Sequence, residues 1–156
     1  MDGHLQKIAG FLRDTPAVTL AVSPEARGRY FSLWLDMPTP AGARAGYELN
    51  FKLVSANTYD VTLLKWQAGS KTQLASKSGV SFTAGSSLAL VDEGATVSAW
   101  TNTGSGFVRQ VSAADSAFDE GKAGLYGAGN IVRLAKFKAG VLNAPQDIAA
   151  SIAGLP

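Results

Sequence analysis

The chain has 156 residues, of which 14 are Lys or Arg, 12 are Asp or Glu, one is His and none is Cys, and its net charge is +2 at pH 7. The length suits one domain, and the lack of Cys excludes disulfides, thiolate nucleophiles and Cys-ligated zinc or iron–sulfur sites. A single His, His4, argues against a Ser-His-Asp triad or a multi-His metal site, and the small, unclustered charge argues against nucleic acid as a partner.

Composition also bears on where the protein works. Charged residues make up 17% of the chain, below the usual share of about 25%, and 17 residues are Gly. This pattern predicts a β-rich domain that is extracellular, cell-surface or virion-associated. The N-terminus shows no signal peptide, and no apolar stretch approaches the roughly 18 residues that a membrane span needs. We therefore expect no membrane span, and export would use a signal on a longer parent chain or another route.

Residues 1–16 form an N-terminal segment for which two structures fit. Pro16 ends the segment. Its apolar residues recur at three- and four-residue spacing, which is typical of a short amphipathic helix. They are Leu5, Ile8, Phe11 and Leu12. A frayed or cut first strand is the other prediction.

Residues 17–140 consist of short apolar runs separated by turn residues, and we predict that they form one β-sandwich domain. The predicted strands, in chain order, are Ala17–Val22, Arg29–Leu35, Gly46–Val54, Thr58–Trp66, Thr72–Lys77, Ser87–Asp92, Ala95–Thr101, Phe107–Val111, Gly121–Tyr126 and Ile131–Lys138. Strands at such short, regular spacing, with Gly-rich turns and no long helix, favour an antiparallel sandwich or barrel. Residues 141–156 are small and weakly apolar, and are predicted as a linker or a short terminal helix outside the core.

The clearest hairpin joins Gly46–Val54 to Thr58–Trp66. Apolar and polar residues alternate along both strands, which gives each one apolar face and one polar face. The alternation changes parity at Leu64–Trp66. That change predicts a bulge, or a strand that is covered on both faces.

Three stretches carry a family pattern. The first is Ser87–Asp92 with Gly94–Trp100, which is similar to a hairpin whose second strand reads x-V-x-a-W/Y. The second is Gly121–Tyr126, which is similar to a strand that reads G-x-x-G-L. The third is Asn130–Phe137, which is similar to a closing strand that reads v-R-l-d-n-F. With these stretches the chain resembles the concanavalin A-like superfamily of legume lectins, laminin-G-like domains and family-16-type glucanases. The resemblance implies an all-β, antiparallel, two-sheet jelly-roll sandwich. A complete domain of this type usually has more strands than are predicted here, so we expect a version that is either truncated at its N-terminal side or minimal.

The acidic residues argue against catalysis. A glycosidase needs two carboxyl groups that face each other across the scissile bond. The resemblance would place them on one strand as E-x-D-x-(x)-E, and this motif is absent. Asp92-Glu93 and Asp119-Glu120 are neighbours in sequence that precede Gly, so we predict turn residues there. We expect that the protein is not an enzyme.

The resemblance also implies a calcium site, because relatives often bind Ca²⁺ through Asp carboxylates and loop carbonyls. Asp92, Asp115 and Asp119 are loop acids that could contribute, although no D-x-D-x-D-G loop is present. The alternative is that they are solvated loop carboxylates. Beyond this structural Ca²⁺, we expect no cofactor.

Sugar sites combine an aromatic platform with polar groups for the hydroxyls. Trp100 lies on the polar side of its strand beside Thr96 and Ser98, Trp66 follows the parity change, and Asn102 offers an amide. These five residues are the predicted ligand site, and the alternative is that the Trp residues close the sandwich core or cap its edge. Trp34 and Tyr30 are weaker candidates.

We therefore predict a non-catalytic recognition or adhesion module, with a glycan as its partner, within a bacterial or phage surface or virion protein. One alternative is a purely structural spacer or assembly domain of a surface or phage tail protein. Another is a divergent glycan hydrolase. The oligomeric state is left open by the sequence.

Overall fold

The computed structural model describes residues 6–10, 18–20, 30–38, 43–83, 85–118, 121–127, 132–134, 138–142 and 147–154. Within these residues the chain forms 12 strands and one short helix. The elements are β1 (Gln6–Gly10), β2 (Val18–Leu20), β3 (Tyr30–Met37), β4 (Gly46–Ser55), β5 (Thr58–Gln67), β6 (Ser70–Ser81), β7 (Ser87–Asp92), β8 (Thr96–Asn102), β9 (Val108–Ala114), β10 (Lys122–Gly127), β11 (Val132–Leu134), β12 (Lys138–Leu142) and α1 (Ile148–Ala153).

Ten of these strands form two five-stranded antiparallel sheets. Sheet I has the order β12-β1-β7-β8-β9, and sheet II has the order β10-β3-β4-β5-β6. The short strands β2 and β11 pair with each other. The prediction of an all-β, antiparallel, two-sheet sandwich is confirmed.

The inner faces of the two sheets share one core. Across β3, β4 and β5, Leu33, Leu49 and Leu63 lie in one register row and are fully buried. Sheet I contributes Leu88 and Leu90 to the same cluster. Burying one such side chain contributes about 1.5–3 kcal/mol, so alternation along the strands accounts for the association of the sheets.

Aromatic rings fill one end of this core. Phe31, Phe51, Tyr59 and Phe82 lie with their ring centroids 5.3–6.1 Å apart. Such offset and edge-to-face contacts add to the burial of the rings. Burial also raises the pKa of Tyr59 to about 12. The phenol of Tyr59 therefore stays protonated at neutral pH.

The hairpin of β4 and β5 has the predicted turn, but β5 pairs with β4 without interruption from Tyr59 to Trp66, so β5 itself has no bulge and its side chains keep alternating between the two faces. Asn57 takes a positive φ of 58° in the turn, which Asn tolerates better than most residues. In the pairing of β5 with β6, the register shifts between Leu63 and Leu64, at the predicted change of parity. The extra residue lies on β6, because Leu63 faces Ala75 whereas Leu64 faces Gln73.

The N-terminal segment contributes a strand to sheet I. β1 pairs with β12 on one side and with β7 on the other. The helix alternative for residues 1–16 is therefore wrong over 6–10, because pairing on both sides satisfies the backbone that a helix would otherwise satisfy internally. Residues 1–5 and 11–16 of that segment lie outside the described residues. The domain boundaries at 16/17 and 140/141 stay predictions.

The terminal helix α1 lies in the segment predicted as a linker or short helix. The side chain of Asp147 caps its N-terminus by accepting from the backbone N–H of Ala150 at 3.0 Å. Ile152 is fully buried and packs with Ala89, Val91 and Phe107. The helix thus covers part of the outer face of sheet I, although the sequence placed this segment outside the core. Among the described residues, no helix has the length and apolar character to cross a membrane.

Candidate functional site

The structure places the two predicted sugar-binding Trp residues on different sheets. Trp66 lies on β5 of sheet II and Trp100 lies on β8 of sheet I. Their neighbours Lys65 and Ala99 alternate with them along the strands, and Ala99 belongs to the shared core. Trp66 and Trp100 therefore belong to opposite outer faces of the sandwich, and they cannot form one platform.

Trp100 is held by its own sheet and by α1. It packs with the cluster that contains Phe107 and Ile152. Its Nε1 donates to Ser98 Oγ at 2.9 Å, and Ser98 Oγ donates to Glu93 Oε2 at 3.1 Å. Ser98 is buried. Together these contacts favour the alternative in which Trp100 closes a face of the sandwich.

Thr96 and Asn102 lie at the two ends of β8. Thr96 is half-buried. Asn102 is buried, and its Oδ1 accepts from the backbone N–H groups of Gly104 at 2.8 Å and Gly106 at 3.1 Å. The carbonyl oxygen of Asn102 is therefore engaged by the turn after β8, which is a structural use of this side chain.

The predicted calcium ligands are engaged by protein groups where the structure describes them. Asp92 is buried and accepts from the backbone N–H of Gly94 at 2.7 Å, as expected for a turn residue. Asp115 accepts from Lys65 Nζ at 2.6 Å. Asp119 lies outside the described residues. Within the described part of the chain, no group of three His, Asp or Glu residues could hold a metal ion.

Asp115 is also bound by Tyr47, whose hydroxyl donates to Asp115 Oδ1 at 2.7 Å. Burial opposes the ionisation of Asp115, but hydrogen bonds from Lys65 and Tyr47 outweigh it, so the pKa of this carboxyl lies below its ordinary value. Burial and the hydrogen bond to Asp115 raise the pKa of Tyr47 far above its ordinary value. This network ties sheet II to the loop after β9, and it leaves Asp115 ionised at neutral pH.

A groove of about 450 Å³ opens over β3, β4 and β10 of sheet II. The side chains that give it chemical character are Trp34, Arg44, Glu48, Lys122, Leu125 and Tyr126. Gly124 faces Trp34 across the two paired strands, and a Cβ there would come within 2.7 Å of Met37 Cε. The space that a side chain at Gly124 would take is therefore occupied by the end of the Met37 side chain, which also lines the groove.

Trp34 lines the groove, and a second indole ring, that of Trp66, packs against Trp34 without lining the groove itself. Trp34 and Trp66 have ring centroids 6.0 Å apart and an interplanar angle of 35°. Trp66 Nε1 donates to Glu48 Oε2 at 2.6 Å, and Trp34 Nε1 donates to Ser32 Oγ at 3.2 Å. Both indole N–H groups are thus bound within the protein.

Cations cover the faces of these rings. The guanidinium carbon of Arg44 lies 4.6 Å from the centroid of Trp66 and 5.5 Å from that of Trp34. Lys71 Nζ lies 5.9 Å from the Trp66 centroid. These distances are typical of cation–π interactions. Such interactions hold the flat guanidinium group of Arg44 against the two indole rings.

The charges at the groove differ in their access to solvent. Arg44 and Lys122 are exposed. Glu48 also lines the groove, but it is only 6% exposed, and its carboxylate is engaged by Trp66. A molecule in the groove would therefore meet hydrogen-bond donors with positive charge before it met the carboxylate.

Sequence reasoning selected Trp66 and, as a weaker candidate, Trp34, and it missed the rest of this groove. Glu48 was visible only as one of several polar residues on the outer side of β4. Arg44 belongs to a Pro/Gly-rich loop, and Tyr126 belongs to a strand whose neighbour the alternation does not specify. The pairing register of the strands in sheet II brings these residues together, and no local sequence motif indicates that register.

No family model matches the chain, and no curated protein matches it in sequence. Solved structures are similar in fold. One is the carbohydrate-binding module CBM66 from Bacillus subtilis, with a TM-score of 0.57 and 21% identity over 89% of this chain and 74% of that one. Another is the GH43 protein BlXynB from Bacillus licheniformis, with a TM-score of 0.52 and 13% identity over 85% of this chain and 26% of that one.

At these identities the similarity extends to the fold alone. This chain spans about a quarter of BlXynB. The chain therefore shares a β-sandwich fold with a carbohydrate-binding module and with part of a GH43 protein. The narrower resemblance to the concanavalin A-like superfamily stays a prediction.

Proposed function

We propose that this domain is a non-catalytic carbohydrate-binding module and that the groove on sheet II is its glycan site. The observation that carries the proposal is an exposed aromatic ring beside exposed donors in a cavity of sugar size. Tyr126 is 53% exposed and lines the groove with Arg44 and Lys122. A volume of about 450 Å³ lies in the usual range of about 300–1,000 Å³ for ligand sites. The shared fold with CBM66 supports the same reading.

The absence of catalysis is part of this proposal. Glycoside hydrolysis generally requires two carboxyl groups that flank the scissile bond. The described residues lining the groove include one carboxylate, Glu48, which accepts a hydrogen bond from Trp66. A single, buried and engaged carboxylate supports binding without hydrolysis.

We place the module in an extracellular, cell-surface or virion protein, and we assign its sandwich to the concanavalin A-like type. The composition and the strand patterns support these assignments. We also infer that glycan binding needs no metal ion, because donors and an aromatic ring already line the groove. Binding is therefore expected to survive EDTA unchanged. If EDTA abolished binding and Ca²⁺ restored it, the structural calcium implied by the resemblance would be required.

Affinity electrophoresis and calorimetry on a panel of neutral and acidic polysaccharides test the proposal. Tyr126→Ala is expected to weaken binding by about tenfold or more, because a stacked ring contributes beyond its buried area. Val108→Ala is the matched control, since Val108 is 60% exposed on β9 of sheet I. Binding that Tyr126→Ala leaves intact, or that no polysaccharide shows, would contradict the proposal.

A structural assembly role is the second candidate, and β10 is the observation that favours it. This strand is one of the two edges of sheet II, and Leu125 and Tyr126 are exposed on it. An exposed apolar edge can pair with another chain. Sedimentation at several protein concentrations separates the two roles, because assembly through β10 predicts self-association that Tyr126→Lys abolishes, whereas a glycan-binding module predicts a mass independent of concentration.

A further inference from the structure

We propose that the glycan bound in the groove carries an oxyanion, a carboxylate or a sulfate group, and that Arg44 and Lys122 bind it. This inference rests on the proposed function, and it names the class of ligand for the same site. Two cations and one acid line the groove, and both cations are exposed whereas Glu48 is 6% exposed. The charge that a ligand can touch is therefore positive.

The side chain of Arg44 is pre-organised to bind an anion. Its guanidinium group lies against Trp66 at 4.6 Å and Trp34 at 5.5 Å, so fewer side-chain rotamers are lost when a ligand binds. Among the described residues, the ion pair is that of Lys65 with Asp115, and Arg44 has no carboxylate within 4.0 Å. A planar guanidinium that no carboxylate of the described residues pairs with is suited to bidentate binding of a carboxylate or sulfate.

The indole rings do not offer the open face that a neutral sugar would need. Trp34 is 8% exposed. One face of Trp66 is covered by Arg44, and Lys71 lies 5.9 Å from its centroid. Tyr126 is therefore the ring on which a sugar would stack, and the donors of Arg44 and Lys122 would select a sugar that carries a carboxylate or sulfate group.

Buried acids near the groove do not alter this conclusion. Asp36 precedes Met37 at the end of β3, but it is 1% exposed and does not line the groove. A buried carboxylate that does not line the groove cannot contact the ligand. Lys71, which is exposed, adds a third positive charge at the Trp66 side.

Two matched pairs of polysaccharides test the inference by calorimetry. One pair is polygalacturonate and its methyl ester, which share a backbone and differ in the charge of the carboxyl. The other is dextran sulfate and dextran. We expect the charged member of at least one pair to bind about tenfold or more tightly than the neutral member. The two pairs distinguish a carboxylate from a sulfate as the recognised group.

Variants then distinguish a built site from general attraction. Arg44→Gln is expected to weaken binding of the charged polymer by about tenfold or more, and Arg44→Lys by less, because Lys keeps the charge and loses the planar fork. Lys52→Gln is the control, since Lys52 is exposed on the same sheet four residues from Glu48 along β4, about 13 Å away. It removes the same charge and is expected to change affinity by less than about twofold. Thermal unfolding verifies that each variant is folded.

The outcomes separate this inference from the proposed function. Equal binding of charged and neutral members, lost in Tyr126→Ala, would overturn the inference and leave the glycan-binding function standing. Equal losses in Arg44→Gln and Lys52→Gln would also overturn it, because general attraction would then explain the preference. Absence of binding to every polysaccharide would overturn both.

Discussion

At the scale of single residues, the network around Asp115 joins three separate parts of the chain. Asp115 accepts from Tyr47 of β4 and from Lys65 of β5, and the backbone N–H of Ala117 donates to it at 2.9 Å. The side chains of Lys65 and Asp115 are 22% and 10% exposed, so solvent screens this pair only in part. The loop after β9 is therefore fastened to sheet II by charged hydrogen bonds.

This network predicts a pH dependence of stability. The pKa of Asp115 is lower in the folded protein than in the unfolded chain, so its contribution is present above about pH 4 and is lost as the pH falls through the folded pKa. Asp115→Asn is expected to lower the free energy of unfolding by about 1–3 kcal/mol at pH 7 and by less near pH 3. Urea denaturation at both pH values measures this. Asp60→Asn, which removes the same charge from the half-buried surface of β5, is the control. Equal effects at the two pH values would contradict the prediction.

A second prediction at the residue scale concerns Gly46, the first residue of β4. Its φ is +115°, and a Cβ there would come within 2.7 Å of the carbonyl oxygen of Leu35. Gly79 is the matched control, because its φ is also positive, at +71°, but nothing lies within 4 Å of the added Cβ. We expect Gly79→Ala to cost about 1–2 kcal/mol from backbone strain, and Gly46→Ala to cost more. Urea denaturation of both variants measures the difference, and equal costs would show that Leu35 moves away without penalty.

At the scale of elements, α1 is a short helix that depends on sheet I. Six residues are too few for a stable isolated helix in water, so packing must hold it. Ile152 supplies that packing against Ala89, Val91 and Phe107. The outer face of sheet I is therefore partly covered, whereas the outer face of sheet II bears the groove.

Truncation of Ile152 tests this arrangement. Ile152→Ala is expected to destabilise the protein by about 2–4 kcal/mol, since it removes a fully buried side chain. Ile148→Ala deletes the same atoms from a half-buried position of α1 and is expected to cost less. Glycan affinity is expected to stay unchanged in both variants, because the groove lies on sheet II. A stable Ile152→Ala variant would mean that α1 does not pack on sheet I in solution.

At the scale of the whole molecule, the sequence predicts what depends on neighbours along the chain. The β4 and β5 hairpin was predicted as Gly46–Val54 and Thr58–Trp66 and is observed as Gly46–Ser55 and Thr58–Gln67, because alternation and turn residues are local signals. The location of β1 inside sheet I was not predicted, since its partners β7 and β12 are distant in sequence. The sequence of a single strand does not indicate which distant strand it pairs with.

The same limit explains the candidate site. Strand parity assigned Trp100 to the polar side of β8, whereas Trp66 was selected because it follows the apparent change of parity on β5; both lie on outer faces. Parity distinguishes inner from outer, but it carries no information on which of two sheets a strand joins. The groove combines β3, β4 and β10 with a loop residue, Arg44. Its residues could be assembled only once the register of sheet II was known.

This separation of the two outer faces leads to a last prediction, which uses the three Trp residues of the chain. Trp34 lines the groove, Trp66 contacts the lining residues Trp34, Arg44 and Glu48, and Trp100 packs with the cluster that contains Ile152 of α1 on the other side. In Trp100→Phe, all Trp fluorescence therefore comes from the groove side. We expect ligand addition to change this fluorescence, and glycan affinity to match the unmodified protein within about twofold.

In Trp66→Phe, loss of the indole N–H leaves the buried carboxylate of Glu48 without that donor, and Arg44 loses its nearest ring. Affinity is then expected to fall by about tenfold or more. If Trp100→Phe abolished both binding and the fluorescence response while remaining folded, the glycan would bind to sheet I and the groove would be the wrong site.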